Sequence, residues 1–237
     1  MLSLALLIVV CMVTYTVEII FGLAGTILMI MVMSFIIDTK TLVIFSALPQ
    51  ILVGTIGLSR SQKTVKLDFL LSMVIFASVG AVFGLYLFYL VPVSSFQYWL
   101  AAAITVFGFY LVFFPGKLAL PFWLARLLDT LAGTSQALFG ISGPIAMTRL
   151  LATFDSKIQI RNYALAFFLS MNLFRVSGYV WNGTLTNDIL LMMAWAAPFL
   201  MATLWLANHL HLKVNERLFR RVVAWLILLG GISLFLH

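Results

Sequence analysis

Two short glycine-containing stretches interrupt the apolar segments of this chain. "FGLAGT" spans residues 21–26, and "FGISGP" spans residues 139–144. Glycine lets a ligand approach the backbone closely, and proline suits the first turn of a helix, where its missing N–H removes no hydrogen bond. A helix that begins at such a break points unpaired N–H groups at it, with about half a positive charge. Two breaks of this kind predict a binding site for a small oxyanion.

Polar side chains near the breaks complete the candidate site, because such residues are costly to bury inside apolar segments. Ser142 is a candidate cap for the helix that begins at Gly143. Arg175 lies one turn after Asn172, and it either assists anion binding or pairs with Glu18. Glu18, one turn before the first break, either carries a coupled proton or accepts structural hydrogen bonds. The predicted binding residues are Gly22, Gly25, Thr26, Gln50, Gln136, Gly140, Ser142, Gly143, Asn172 and Arg175.

The composition indicates what kind of element positions these residues. Hydrophobic residues make up 64% of the 237 positions and charged residues only 9%, whereas a soluble domain has about a quarter charged residues. The chain therefore reads as an integral membrane protein. Its apolar runs are long and continuous, which favours spanning helices over the short alternating strands of a barrel. We predict an all-α, polytopic membrane fold.

Several kinds of chemistry lack the residues they need. Cys11 is the single cysteine, and the three histidines, His209, His211 and His237, fall in loops or near chain ends. The chain has no P-loop, no H-E-x-x-H and no G-x-S-x-G motif. We therefore expect no metal site, no cofactor and no enzymatic activity.

The apolar stretches predict ten helical segments in two related halves. Residues 25–37 and 143–153 are too short to cross a membrane alone, and each follows one of the glycine breaks. The two breaks lie 118 positions apart, and a second matching pair, "TVKLD" and "TLTND", lies 120 apart. We predict two membrane repeats, residues 1–118 and 119–237. The apolar stretches are 2–20, 25–37, 41–58, 69–91, 96–114, 120–139, 143–153, 160–181, 189–208 and 219–236.

Basic loops orient these segments, since positively charged loops face the cytoplasm. Lysines and arginines are concentrated in residues 59–66, 115–126, 154–161 and 209–221. Residues 120–153 then enter and leave on one side, which predicts an intramembrane hairpin that turns at the break. The alternative is one tilted, overlong span. Equivalent loops fall on opposite faces, so the repeats are predicted to be inverted, each with a broken helix hairpin and three spanning helices. Both termini are predicted to be periplasmic.

The breaks and the loops that follow them resemble the sulfite exporter TauE/SafE family of bacterial membrane transporters. That family has two repeated halves, each with a glycine-rich motif and a small polar segment after the next loop. The matching stretches here are "GLAGT", "GISGP", "KTVKLDF" and "GTLTNDI". Neither copy has the three consecutive glycines common in the family, and the first copy lacks the following proline. The resemblance implies export of sulfite or organosulfonates across the inner membrane, whereas the residue pattern alone indicates a small anion.

The predicted function is therefore a secondary transporter that exports a small sulfur oxyanion by alternating access, with its site between the two broken helices. The alternatives are an anion channel and a non-transporting membrane assembly or scaffold protein. The expected partners are a small anionic substrate and the lipid bilayer of a bacterial inner membrane. A homodimer is left open. The basic loops alternate along the chain, which fits membrane topology, and no nucleic-acid partner is expected.

Overall fold

The structure is a computed structural model, and it describes residues 2–21, 24–59, 65–113, 121–210, 224–225, 227–232 and 234. Every regular element within these residues is helical, and residues 227–232 form a helical stretch after α9. The helices are α1 (Leu2–Phe21), α2 (Gly25–Met33), α3 (Thr39–Leu58), α4 (Leu67–Leu90), α5 (Val93–Phe113), α6 (Phe122–Phe139), α7 (Gly143–Thr153), α8 (Lys157–Trp181) and α9 (Asn187–Leu210).

Four of the described helices are long and apolar enough to cross a membrane. They cover Ser3–Ile20, Thr39–Leu58, Leu67–Leu90 and Asn187–Ala207. Their outer faces carry apolar side chains, as on α4, where Val79 is 64% exposed. A helix satisfies its own backbone hydrogen bonds, which the hydrocarbon of a bilayer requires. The predicted all-α polytopic membrane fold is confirmed.

Helix α2 is shorter than the predicted segment 25–37. It ends at Met33, and the N–H groups of Ile36 and Ile37 both donate to the Met33 carbonyl in a turn, each at 2.9 Å. Helix α3 then begins after Asp38, whose carboxylate accepts from the Thr41 N–H at 2.9 Å. This aspartate is a side-chain cap, and it fixes the corner between the two helices.

Helices α6 and α7 form an antiparallel hairpin. Asp129 of α6 contacts Arg126 at 3.3 Å and Arg149 of α7 at 3.5 Å. Phe154, which follows α7, stacks on Tyr163 near the start of α8, with 4.5 Å between ring centroids. The chain therefore returns to the face at which α6 begins, and residues 120–153 do not form a single tilted span.

Two sets of contacts define opposite faces of the bundle. The Lys66 N–H donates to the Tyr163 hydroxyl at 2.8 Å, so α4 and α8 begin at the same face. The Lys40 ammonium donates to the carbonyls of Phe88 and Val91, at 2.7 Å and 2.5 Å, so α3 begins where α4 ends. Helices α3 and α8 consequently begin at opposite faces.

Small residues let the helices pack closely. A Cβ added to Gly80 of α4 would lie 1.9 Å from the carbonyl oxygen of Thr130, and one added to Gly133 of α6 would lie 1.8 Å from that of Ala77. In membranes, such close backbone approach is a main source of helix association. The α4–α6 pair is therefore held by backbone proximity.

The helix contacts of the two halves are reciprocal. When α1, α2, α3 and α4 are exchanged with α6, α7, α8 and α9, each contact among these helices maps onto another observed contact. For example, α1 packs on α9 as α6 packs on α4, and α3 packs on α9 as α8 packs on α4. The α3–α8 contact maps onto itself, so these two helices lie at the centre of the arrangement.

Candidate anion-binding site

Both helix breaks contain a residue in the left-handed backbone conformation. Gly140 ends α6 with φ 73°, and its N–H donates to the Gln136 carbonyl at 2.9 Å. Ala24 precedes α2 with φ 81°, which is unfavourable for a residue with a Cβ. Among the described residues, Ala24 is the non-glycine residue with positive φ. Strain of this kind concentrates at functional sites, where the surrounding structure holds it in place.

The two breaks meet around one small cavity of about 20 Å³, which is room for about one water molecule. The start of α2, the start of α7 and the ends of α1 and α6 all reach it. The residues that line the cavity are Glu18, Ala24, Thr26, Ile27, Gln50, Gln136, Gly140, Ile141, Ser142, Gly143 and Phe168.

The amino terminus of α7 is open toward the cavity. Pro144 in its first turn has no N–H, and the first intrahelical bond runs from the Ala146 N–H to the Ser142 carbonyl at 2.9 Å. The N–H groups of Gly143 and Ile145 therefore have no acceptor within the helix. Ser142 occupies the capping position, but its side chain accepts no hydrogen bond from the first turn; its hydroxyl donates to Gln136 Oε1 at 2.7 Å. The predicted Ser142 cap is wrong, and this end keeps its positive potential.

The amino terminus of α2 is closed by an internal carboxylate. Glu18 Oε2 accepts from the Thr26 N–H at 3.1 Å, and Glu18 is 2% exposed. Gly25 makes this contact possible, because a Cβ there would lie 2.4 Å from Glu18 Oε2 and 2.7 Å from the Thr14 carbonyl oxygen. The two helix ends at the cavity thus differ, since the start of α2 already holds a carboxyl group and the start of α7 does not.

A chain of amide side chains connects the halves through the cavity wall. Gln50 Nε2 donates to Glu18 Oε1 at 3.1 Å, and Gln136 Nε2 donates to Gln50 Oε1 at 3.0 Å. Gln136 Nε2 also donates to Asn172 Oδ1 at 3.3 Å. Four helices contribute to this amide chain: α3, α6 and α8 supply the three amides, and α1 supplies the Glu18 carboxyl group at its end. Buried polar groups joined in this way hold each other in fixed orientations.

Arg175 lies at the far end of this chain, fully buried. Its guanidinium donates to Asn172 Oδ1 at 2.6 Å, to the Val43 carbonyl at 2.7 Å and to the Tyr179 hydroxyl at 3.1 Å. These acceptors are neutral, so the positive charge is not cancelled locally. A Cβ added to Gly140 would lie 3.0 Å from Arg175 Nη2, so the guanidinium lies directly behind the second break. Its field therefore reaches the cavity.

The Thr26 hydroxyl of the cavity wall lies next to a second buried hydroxyl. Thr26 Oγ1 is buried in a residue that is 3% exposed, and it lies near the equally buried hydroxyl of Tyr15. Neither hydroxyl has a partner of normal hydrogen-bond geometry among the described residues. A buried polar atom without a partner of normal geometry is unusual in a folded protein, so Thr26 Oγ1 is a candidate contact for a bound ligand.

The structure brings most of the predicted residues together. Thr26, Gln50, Gln136, Gly140, Ser142 and Gly143 line the cavity with Glu18. Gly25 packs beneath Glu18, while Asn172 and Arg175 lie behind the cavity wall. Gly22 lies outside the described residues. Glu18 and Arg175 do not pair directly.

Sequence reasoning missed four residues that line the cavity: Ala24, Ile27, Ile141 and Phe168. Ala24 and Ile141 lie within the glycine-containing stretches, so the position of each in its stretch could have predicted that it lines the cavity. Ile27 and Phe168 look like ordinary core residues of a helix, and only tertiary packing brings them to the site.

The described residues contain no group of three or more histidine, cysteine, aspartate or glutamate side chains that could hold a metal ion. Within this part of the chain, the donors near the cavity are backbone amides, hydroxyls, side-chain amides and one guanidinium. Such a set binds the oxygens of a small oxyanion through hydrogen bonds.

A family model described as "Sulfite exporter TauE/SafE" matches residues 7–234 of the chain, so the match includes both helix breaks and all four helices of the amide chain. Searches of curated proteins and of solved structures returned no match.

Proposed function

The chain belongs to the sulfite exporter TauE/SafE family, and from this premise we propose that it exports a small sulfur oxyanion, sulfite or an organosulfonate, by alternating access. Members of this family are membrane transporters, and the apolar helices make this chain a multi-pass membrane protein. The proposed binding site is the cavity at which the two helix breaks meet.

The observation that carries the proposal is the open amino terminus of α7 beside an unpartnered hydroxyl. The N–H groups of Gly143 and Ile145 have no acceptor within the helix, and Thr26 Oγ1, also on the cavity wall, has no partner of normal hydrogen-bond geometry among the described residues. An oxyanion accepts hydrogen bonds and cannot donate them unless protonated, so it matches these donors. The amino terminus of α7 also adds a positive electrostatic potential, which favours an anion over a neutral ligand.

Arg175 supports an anionic rather than a cationic ligand. Its charge lies behind Gly140 and is met by neutral acceptors, so the second break has a net positive surrounding. Because the guanidinium already has several hydrogen-bond partners, we propose that it acts on the anion through its field and through Asn172. Direct contact would require Arg175 to give up one of these bonds.

The reciprocal helix contacts support two related halves, residues 1–118 and 119–237. Helices α3 and α8 begin at opposite faces and lie at the centre, as expected for inverted repeats. We propose that one half rocks against the other about this centre, so that the cavity opens to each side in turn. The amide chain crosses between the halves and would break or rearrange in that motion.

Export is energetically reasonable without a coupled ATPase. Lys66, Arg126 and Arg161 lie near the starts of α4, α6 and α8, and this face is assigned to the cytoplasm of a bacterial inner membrane. Both chain ends would then be periplasmic. With the inside negative, each unit of negative charge that leaves gains about 2.3 kcal/mol per 100 mV.

The test is a thermal-shift screen of the purified protein against sulfite, sulfate, thiosulfate, taurine and sulfoacetate. A ligand at about 100 times its Kd adds about 2.7 kcal/mol to the unfolding free energy. We expect stabilisation by one or more sulfur oxyanions. No response to any of them would contradict the site.

A cavity-blocking variant distinguishes transport from the alternatives. Ser142→Leu places three extra carbons in a cavity that holds about one water, so it is expected to abolish sulfite flux in proteoliposomes. The control is Ser177→Leu, since Ser177 is exposed on the outer face of α8. A scaffold protein would keep its function in both variants. Counter-flow of labelled sulfite against an unlabelled gradient separates a carrier from a channel.

A further inference from the structure

Glu18 occupies the position that an anion would take at the start of α2. Its Oε2 accepts from the Thr26 N–H at 3.1 Å, and its Oε1 accepts from Gln50 Nε2 at 3.1 Å. Glu18 and Thr26 both line the cavity. An incoming oxyanion and the Glu18 carboxylate would therefore use the same donors and carry the same sign of charge within one small space.

We propose that an oxyanion binds at this cavity only together with a proton on Glu18, so that each anion is carried with one proton. This inference rests on the proposed anion transport. Repulsion between two adjacent negative charges is strong where little water screens it. Protonation removes the repulsion and frees the Thr26 N–H for the anion, and it leaves Glu18 with one O–H that can donate to an anion oxygen.

The coupled step is the transfer of one proton between water and Glu18. A hydronium ion in the opened cavity gives one proton to Glu18 Oε2 and remains as water, while the carboxylate becomes a neutral carboxylic acid. On release of the anion the proton returns to water, and the carboxylate again accepts from the Thr26 N–H. No bond other than the O–H bond forms or breaks.

Few other ionisable groups lie where they could carry the coupled proton in place of Glu18. Tyr15 lies on the same helix, Arg161 donates through Nε to the Ile19 carbonyl at 2.9 Å, and Arg175 reaches Glu18 only through intervening amides. Helix α2 has no ionisable residue. The ionisable residues with described side chains on α1, α3, α8 and α9 are Cys11, Tyr15, Glu18, Lys40, Arg161, Tyr163, Arg175, Tyr179 and Asp188.

Lys40 and Asp188, the other ammonium and carboxylate groups described on α3 and α9, do not line the cavity with Glu18. Lys40 of α3 is engaged by carbonyls at the end of α4, and Asp188 is exposed in the first turn of α9. The equivalent of Glu18 in the second half, 118 positions later, is Gln136, which is a neutral amide. Because only one of the two equivalent positions is a carboxyl group, each anion takes one proton. An exported sulfite dianion then still moves one net negative charge outward and keeps half of the electrical driving force.

The experiment measures sulfite binding to the purified protein by calorimetry from about pH 5.5 to about pH 8.5, for the wild type and for Glu18→Gln. Sulfite itself titrates in this range, but its titration is common to both proteins and cancels in the comparison. We expect the wild-type Kd to rise relative to that of Glu18→Gln by up to about tenfold per pH unit as Glu18 ionises. The wild type should also take up as much as one more proton per sulfite, as read from the buffer dependence of the binding heat.

Asp188→Asn is the matched control, because it removes an exposed carboxylate away from the cavity and should behave as the wild type. Identical pH profiles in wild type and Glu18→Gln would overturn the proton coupling and leave the anion site intact. Absence of sulfite binding to the wild type at every pH would overturn both proposals.

A second variant keeps the test decisive if Glu18→Gln does not give folded protein. Gln136→Glu places a second carboxylate on the same cavity, next to the Ser142 hydroxyl. It is expected to steepen the pH dependence of the sulfite Kd to as much as about a hundredfold per pH unit. An unchanged slope in this variant would contradict the competition between carboxylate and anion.

Discussion

Glu18 and Arg175 are joined by three amide side chains and not by a salt bridge. Gln50, Gln136 and Asn172 lie between the carboxylate and the guanidinium, and each adjacent pair is within hydrogen-bond distance. The negative charge therefore stays beside the first helix break and the positive charge beside the second. This separation gives the cavity an electrical polarity that a direct ion pair would have cancelled.

Replacement of Arg175 by glutamine is expected to weaken both folding and anion binding. It leaves the Val43 carbonyl and the Tyr179 hydroxyl without their donor in a fully buried region. We expect a loss of about 2 to 6 kcal/mol in the unfolding free energy, because each of the two buried acceptors left without its donor costs about 1 to 3 kcal/mol. Thermal unfolding in detergent with and without sulfite measures both effects. Arg126→Gln, on a partly exposed arginine, is the control; an equal effect on sulfite binding in both variants would argue against a role of Arg175 at the site.

Gly140→Ala should be more damaging than Gly183→Ala, although both glycines have positive φ, 73° and 65°. The left-handed backbone costs a residue with a Cβ about 1 to 2 kcal/mol at either position. Only at Gly140 does the new Cβ also meet neighbours, at 3.0 Å from Arg175 Nη2 and Ser46 Oγ, whereas nothing lies within 4 Å at Gly183. Denaturation midpoints of the two variants check this. Equal destabilisation of the two variants would show that the Arg175 guanidinium moves away from the new Cβ at little cost.

Ala24→Gly is expected to leave stability unchanged or to raise it by up to about 1 kcal/mol. Glycine relieves the left-handed strain at φ 81°, and the greater entropy of the unfolded chain offsets part of that gain. The comparison is Ala47→Gly inside α3, where glycine costs about 1 kcal/mol in a buried helix. Melting temperatures of the two variants should move in different directions, and a clear loss for Ala24→Gly would rule out strain at the first break.

Asp129→Asn is expected to loosen the hairpin of α6 and α7. Asp129 is fully buried between Arg126 and Arg149, so its neutralisation leaves two arginines facing each other without a counter-charge. We expect a loss of about 3 to 5 kcal/mol, and faster amide hydrogen exchange in residues 143–153. Asp188→Asn, at an exposed helix start, should cost less than about 1 kcal/mol. Unchanged exchange in α7 would mean that packing alone holds the hairpin.

The helices and their breaks were predictable because each depends on local sequence. Apolar runs of membrane length define the spans, and glycine or proline at 140–144 ends one helix and begins another. The return of residues 120–153 to one face followed from the distribution of arginine and lysine along the chain. The α2 boundary was missed because Ser34 to Ile37 are apolar enough to continue a helix, but form a turn.

The details of the site depend on contacts between distant positions, which periodicity does not encode. Gln50 and Gln136 are 86 residues apart in the chain, and their hydrogen bond sets which atoms each leaves for Glu18 and Ser142. Ser142 has the residue type and the position of a cap, yet its hydroxyl is hydrogen-bonded to Gln136 Oε1 and makes no hydrogen bond to the first turn of α7. The left-handed backbone at Ala24 likewise arises from the meeting of helices, since alanine gives no local signal for it.

The small size of the void between the breaks also bears on the cell's energy supply. Space for about one water molecule holds no continuous file of water, so the cavity lined by the described residues does not by itself conduct protons or small ions. An exporter with this property can remain in the bilayer between transport cycles without discharging the membrane potential.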